Sequence, residues 1–138
     1  MSASLLYRVT SILLLLFAVG HTLAFRQVDP GWGADALVES MKATHFQVQG
    51  FSRSYWLFFT GFGLFVSVLL LFAAVLAWQL GGMRREALRA IPIIRWAFLL
   101  CFVAIKYLSW QYFFIVPLAF SGVISIFLLA AAWLAARA

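Results

Sequence analysis

An all-α fold is predicted for this chain, an integral membrane four-helix bundle with a short amphipathic helix in its first outer loop. Three observations carry that expectation. Of the 138 residues, 66% are hydrophobic and only 10% are charged, far from the roughly half apolar and quarter charged mix of soluble domains. Four apolar runs are each long enough for a transmembrane helix, which needs about 20 residues to cross the hydrocarbon core. The basic residues, finally, gather at particular places between those runs, as the topology of membrane helices demands.

The first run extends from Leu5 to Phe25. Arg8 followed by VTSILLLLF, with Ala18-Val19-Gly20 beyond it, imitates a secretory signal and its small-residue cleavage site. The segment is nevertheless expected to be retained as the first spanning helix. Residues 26 to 53 form a polar loop that opens with the turn sequence DPGWG at 29 to 33, where Pro sets one torsion and Gly permits positive φ. Then ADALVESMKATHF puts Leu37, Val38, Met41 and His45 at helical spacing opposite Asp35, Glu39 and Lys42, the pattern of an amphipathic helix. The second run, Ser54 to Leu80, is long enough to tilt or to project beyond the hydrocarbon. The third and fourth runs are Ile91 to Trp110 and Phe113 to Ala135, separated by a tight turn near Gln111. Residues 1 to 138 thus read as a single four-span domain.

Orientation follows from the short loops. Arg84, Arg85, Arg89 and Arg95 lie after the second run against one acid, Glu86, with Arg8 and Arg137 near the two ends. The positive-inside rule puts these places, and both termini, on the cytoplasmic side of an inner membrane. In residues 26 to 53, Arg26, Lys42 and Arg53 are balanced by Asp29, Asp35 and Glu39, so that loop faces out. The formal charge of +6 is therefore a set of loop anchors, and no nucleic-acid partner is expected. Tyr55, Trp56, Tyr107, Trp110 and Tyr112 gather at the outer boundary, with Trp78 and Trp96 at the inner one, as interfacial belts do.

No cofactor and no metal are expected. The two histidines, His21 and His45, are the residues a haem would need, yet one lies in a span and the other in a loop. Metal sites recruit several His, Cys, Asp or Glu side chains, and the spans contain no acid. Cys101, the one cysteine, lies inside an apolar run and reads as a small buried hydrophobe. Without an acid in the spans no Ser-His-acid set can form there; His21 with Lys106 or Tyr107 is left as a proton-transfer pair for a lipid-soluble substrate.

Ionisable and polar groups at membrane depth carry a functional hypothesis by default. Counting from Arg8 and Arg95, the helical rise puts His21 roughly 20 Å and Lys106 roughly 16 Å above the inner boundary. Thr60 lies about 10 Å below Arg53, and Ser121 about 13 Å below Tyr112. On an α-helix residues eleven apart differ by only about 20°, so Thr10 shares a stripe with His21, and Arg95 with Lys106. Arg53, Trp56, Thr60 and Gly63 form a similar seam on the second span, and Pro117, Ser121 and Ser125 on the fourth. Seams turned inward would enclose an aromatic-walled pocket. Lys106 and His21 would lie near its floor and Arg53, Tyr55, His45 and Gln111 near its mouth, with Thr22, Thr60, Tyr107, Tyr112 and Ser121 as further binding residues. The alternative is that Lys106 snorkels outward and the small residues only let helices approach.

GHT at 20 to 22, HF at 45 to 46, SYWLFFTGFGL at 54 to 64, AWQLGG at 77 to 82 and WQYFFIVP at 110 to 117 resemble a group of small four-span bacterial inner-membrane proteins whose activity is not established. In span count and length the chain is also similar to DoxX-like proteins. The resemblance implies a bacterial membrane address and a stand-alone module, with no reaction attached. Three functions stay open. The pocket could bind an amphipathic or lipid-like small molecule, anionic groups being favoured by Arg53, Lys106 and His21; the chain could be a structural accessory subunit of a larger membrane complex, or pack as a homo-oligomer; or it could be a membrane enzyme acting on a lipid-soluble substrate. The direction in which Lys106 points separates the first two.

Overall fold

A computed structural model describes residues 2–137. The fold is all-α apart from one small hairpin. Its elements are α1 (Ala3–Ala24), a 3₁₀ turn (Pro30–Trp32), α2 (Asp35–Ala43), β1 (His45–Val48), β2 (Phe51–Ser54), α3 (Tyr55–Gly82), α4 (Arg85–Arg89), α5 (Pro92–Tyr112) and α6 (Ile115–Arg137). The helices α1, α3, α5 and α6 are each long and apolar enough to cross a membrane, and the protein is a multi-pass integral membrane protein. These four match the expected spans to within a few residues. α5 opens on Pro92, whose missing N–H costs nothing in a first helical turn. It ends where Phe113 turns extended, so the tight turn lies at Phe113-Phe114, slightly beyond its expected place.

The chain divides into two compact units, one holding the chain up to Phe17 and from Leu70 onward, the other Ala18–Leu69. In the first, segments of all four long helices pack together. α6 buries Ile124, Leu128, Ala131, Ala132 and Ala135, the spacing of one helical stripe, and α3 contributes Leu70, Ala74, Ala77 and Leu80. Alanine dominates because in lipid, where no hydrophobic force drives helices together, close backbone approach supplies the attraction. Polar side chains reinforce it. Ser11 Oγ donates to the Ala74 carbonyl at 2.7 Å, and Ser4 donates to that of Gly81. Arg8 lies 3.7 Å from the centroid of the Trp78 ring. A Cβ on Gly81 would meet the Arg8 stem at 2.9 Å, so any larger residue there would push that stem aside.

Arg95, expected to mark the inner boundary, is 2% exposed. Its Nη1 donates to the Ala132 carbonyl at 2.9 Å, while Nε has no partner among the described residues. Cys101, expected to be a small buried hydrophobe, is instead exposed. It lies off the stripe by which α5 buries Phe98, Leu99 and Phe102, and so on the side left for lipid.

In the second unit the loop has more structure than its sequence suggested. Asp29 Oδ1 accepts from the Gly31 N–H at 2.8 Å and caps the 3₁₀ turn, which closes on Gly33 at φ 62°. The amphipathic helix α2 follows as expected but stops at Ala43. His45 therefore leaves the helical stripe and starts β1, an unforeseen strand that pairs antiparallel with β2 in the register His45↔Ser54, Phe46↔Arg53, Gln47↔Ser52, Val48↔Phe51. The turn residues Gln49 and Gly50 both have positive φ, 50° and 84°, the signature of a primed two-residue hairpin. Ser54, buried, ends β2 and accepts from the Leu57 N–H at 3.4 Å, capping the first turn of α3.

Candidate functional site

Two opposite faces of α3 carry the features that bear on function in the Ala18–Leu69 unit. One face holds Trp56, Phe59, Thr60, Gly63 and Ser67, and the other Leu57, Phe58, Gly61, Phe62 and Phe65; at 100° per residue their centres are about 180° apart.

The first face meets the end of α1. The Gly63 carbonyl lies 3.0 Å from His21 Nε2, which must donate because a carbonyl only accepts. It also accepts from Ser67 Oγ at 3.2 Å. Thr22 Oγ1 lies 2.7 Å from the Ala18 carbonyl and 2.8 Å from Ser67 Oγ. The His21 ring stacks on Phe25, with centroids 5.1 Å apart and 14° between planes. Gly63 makes this contact possible, since a Cβ there would lie 2.2 Å from Phe25 Cε2. The structure thus brings His21 and Thr22 into one network, and the network ties two helices together. It contains no carboxylate, so it offers neither a charge-relay pair nor a ligand set. Among the described residues no group of three or more His, Cys, Asp or Glu side chains is placed to hold a metal ion. Thr60, on the same face, has a buried hydroxyl without a hydrogen-bond partner among the described residues.

The second face forms an open groove lined by Leu57, Phe58, Gly61, Phe62 and Phe65, with Arg53 at its end. Helical extrapolation had aligned Arg53 with Thr60 and Gly63; because Arg53 stands on a strand, the side chain serves the opposite face. Its Nη1 donates to the Ser52 carbonyl at 2.7 Å, and its guanidinium carbon lies 5.0 Å from the Phe51 ring centroid. The ion pair found among the described residues, Lys42 with Glu39 at 2.8 Å, leaves Arg53 without a carboxylate. Gly61 opens the middle of the groove: a Cβ on it would meet no atom within 4 Å. Tyr55 is exposed, with its ring against Phe46 at 5.0 Å. His45 is also exposed, its Nδ1 at 2.9 Å from the Ala43 carbonyl.

The other expected pocket residues belong to the other unit. Lys106 is exposed. Its stem runs over α6, where a Cβ added at Gly122 would lie 3.9 Å from Lys106 Cδ. Tyr107, Gln111 and Tyr112 are exposed at the end of α5, and the Tyr107 ring meets Trp110 edge-on at 6.3 Å. Ser121 is fully buried but donates back to the Pro117 carbonyl at 2.7 Å, as helical serines do when they satisfy their own helix.

No family model, no curated protein and no solved structure is found to match the chain.

Proposed function

We propose that this membrane protein binds an amphipathic, lipid-like small molecule at the hairpin-bearing end of α3. The observation that carries this reading is Arg53, a cation with no acid partner among the described residues, at the head of an apolar, glycine-notched groove. An amphiphile has the matching chemistry: an apolar body for the phenylalanine walls and a polar head for the guanidinium. The positive-inside distribution supports an inner-membrane address with cytoplasmic termini and with the groove in the outer half. This address agrees with the resemblance to small four-span bacterial inner-membrane proteins. The test is a thermal-shift screen of lipids, quinones and fatty acids on the purified protein and on Arg53→Gln and Gly61→Leu, since a ligand that binds the folded state stabilises it by mass action. A compound that stabilises the wild type more than both variants is expected. If none does, the reading fails.

A second reading, an accessory subunit of a larger membrane complex, is favoured by Lys106. An exposed ammonium within a span is a group that a partner helix could pair. Co-purification of a stoichiometric membrane partner that Lys106→Met releases would support this alternative. Unchanged purification behaviour would remove it.

A further inference from the structure

We infer that the α3 groove holds one acyl chain of an anionic phospholipid whose phosphate is bound by Arg53; this rests on the amphiphile reading and names its ligand class. The groove runs along a membrane-crossing helix from Leu57 to Phe65, about 12 Å at the helical rise. An occupant lying in it is parallel to the lipid tails and enters sideways from the bilayer. Its floor is open at Gly61, where an added Cβ would meet no other part of the chain within 4 Å. A glycine in a helix interior costs about 0.8–1.0 kcal/mol relative to alanine, and the space it leaves at Gly61 is open to an acyl chain.

Arg53 chooses the head. One N–H goes to the Ser52 carbonyl, and the guanidinium carries five in all, so the rest remain for a phosphate in the fork geometry that arginine presents. It sits just before the first turn of α3, where a spanning helix meets the headgroup layer. A second copy of this chain fits less well. A two-fold contact through the same face would set the two Arg53 side chains toward each other, and like charges in apposition oppose association. A neutral quinone would leave the cation unpaired.

The experiment uses the purified full chain in a neutral detergent, with dioleoyl phosphatidylglycerol, dioleoyl phosphatidylcholine and free oleate as probes. Native mass spectrometry counts retained lipids, and thermal shifts report binding. The wild type is expected to retain one phosphatidylglycerol with about a tenfold preference over phosphatidylcholine, the scale of one charge-assisted contact. Arg53→Gln should bring that preference close to unity, and Gly61→Leu should abolish retention of both lipids while the protein stays folded. If both lipids bind alike to wild type and Arg53→Gln, yet Gly61→Leu still blocks them, the inference falls together with the Arg53-based amphiphile reading; if oleate alone prefers the wild type to both variants, the inference falls and the amphiphile reading stands. Loss of all binding in the wild type overturns both. Tighter binding of oleate than of phosphatidylglycerol, or a dimer that Gly61→Leu dissolves, also overturns the phospholipid assignment.

Discussion

Gly63→Ala tests the interlock between α1 and α3 directly. The added Cβ would lie 2.2 Å from Phe25 Cε2, 2.4 Å from Cδ2 and 2.8 Å from Cζ, whereas ordinary contact begins at 3.4 Å. The ring must therefore retreat by 3.4 − 2.2 = 1.2 Å at its nearest atom. It cannot do so freely, because it stacks on His21 at 5.1 Å and touches Phe59 at 6.1 Å. Overpacking of this kind costs about 1–3 kcal/mol, and strain on the His21 bond to the Gly63 carbonyl adds about 0.6 kcal/mol, the average for hydrogen bonds between membrane helices. The helix-propensity gain of alanine, up to about 1 kcal/mol, works the other way. With the full propensity gain the net expectation is a loss of about 0.6–2.6 kcal/mol. Gly61→Ala is the internal control, since its Cβ meets nothing; it keeps the propensity gain and should be neutral or stabilising. Reversible SDS titration in mixed micelles measures both, and Phe25→Ala combined with Gly63→Ala should recover most of the loss. Equal stability of Gly63→Ala and Gly61→Ala would refute the interlock.

Arg95→Met should leave stability unchanged or raise it by up to about 1–4 kcal/mol, because replacing a buried, poorly paired charge by an apolar group of similar volume is often favourable; the same titration checks it, and a loss above about 1 kcal/mol would mean that the charge is compensated in a way the Ala132 bond alone does not provide. Ser11→Ala deletes the 2.7 Å bond to the Ala74 carbonyl and should cost only about 0.6 kcal/mol, as Ala74 keeps its own helical ladder. In a Cys101→Ser background, needed because Cys101 is exposed, Ala36→Cys should react with an impermeant thiol reagent from outside intact cells and Ala90→Cys only after permeabilisation; the reverse pattern would invert the proposed topology.

The spans were legible because their length and apolarity are dictated by the bilayer, and a run such as Ile115–Arg137 has few other solutions. The hairpin was not. Its strands are four residues each, and its turn is Gln-Gly, not the Asn-Gly or Asp-Gly that announces a primed turn. HFQV and FSRS around that Gln-Gly were the only signal. Missing the hairpin had a consequence for Arg53: treated as a helical extension it aligned with Thr60 and Gly63, while as a strand residue it heads the opposite face. In α5 the helical angle puts Arg95 and Lys106 on one stripe, but angle does not set burial. Arg95 is enclosed beside Ala132, whereas Lys106 has only a stem contact at Gly122 and stays exposed. Neighbours at each level along a helix decide that, and periodicity within one helix carries no information about them.

The two faces of α3 also explain why glycine occurs twice within one helical turn there. Gly63 is small because the Phe25 ring needs its place, and the reward lies inside the chain: a stacked His21 and a carbonyl shared by His21 and Ser67. Gly61 is small with nothing in the chain to gain from it. A helix in lipid loses packing wherever it gives up a side chain unless another surface fills the gap. The Phe25 ring fills the place at Gly63, whereas the place at Gly61 is open and lies in the groove that Arg53 heads, which is the volume the proposed ligand would use.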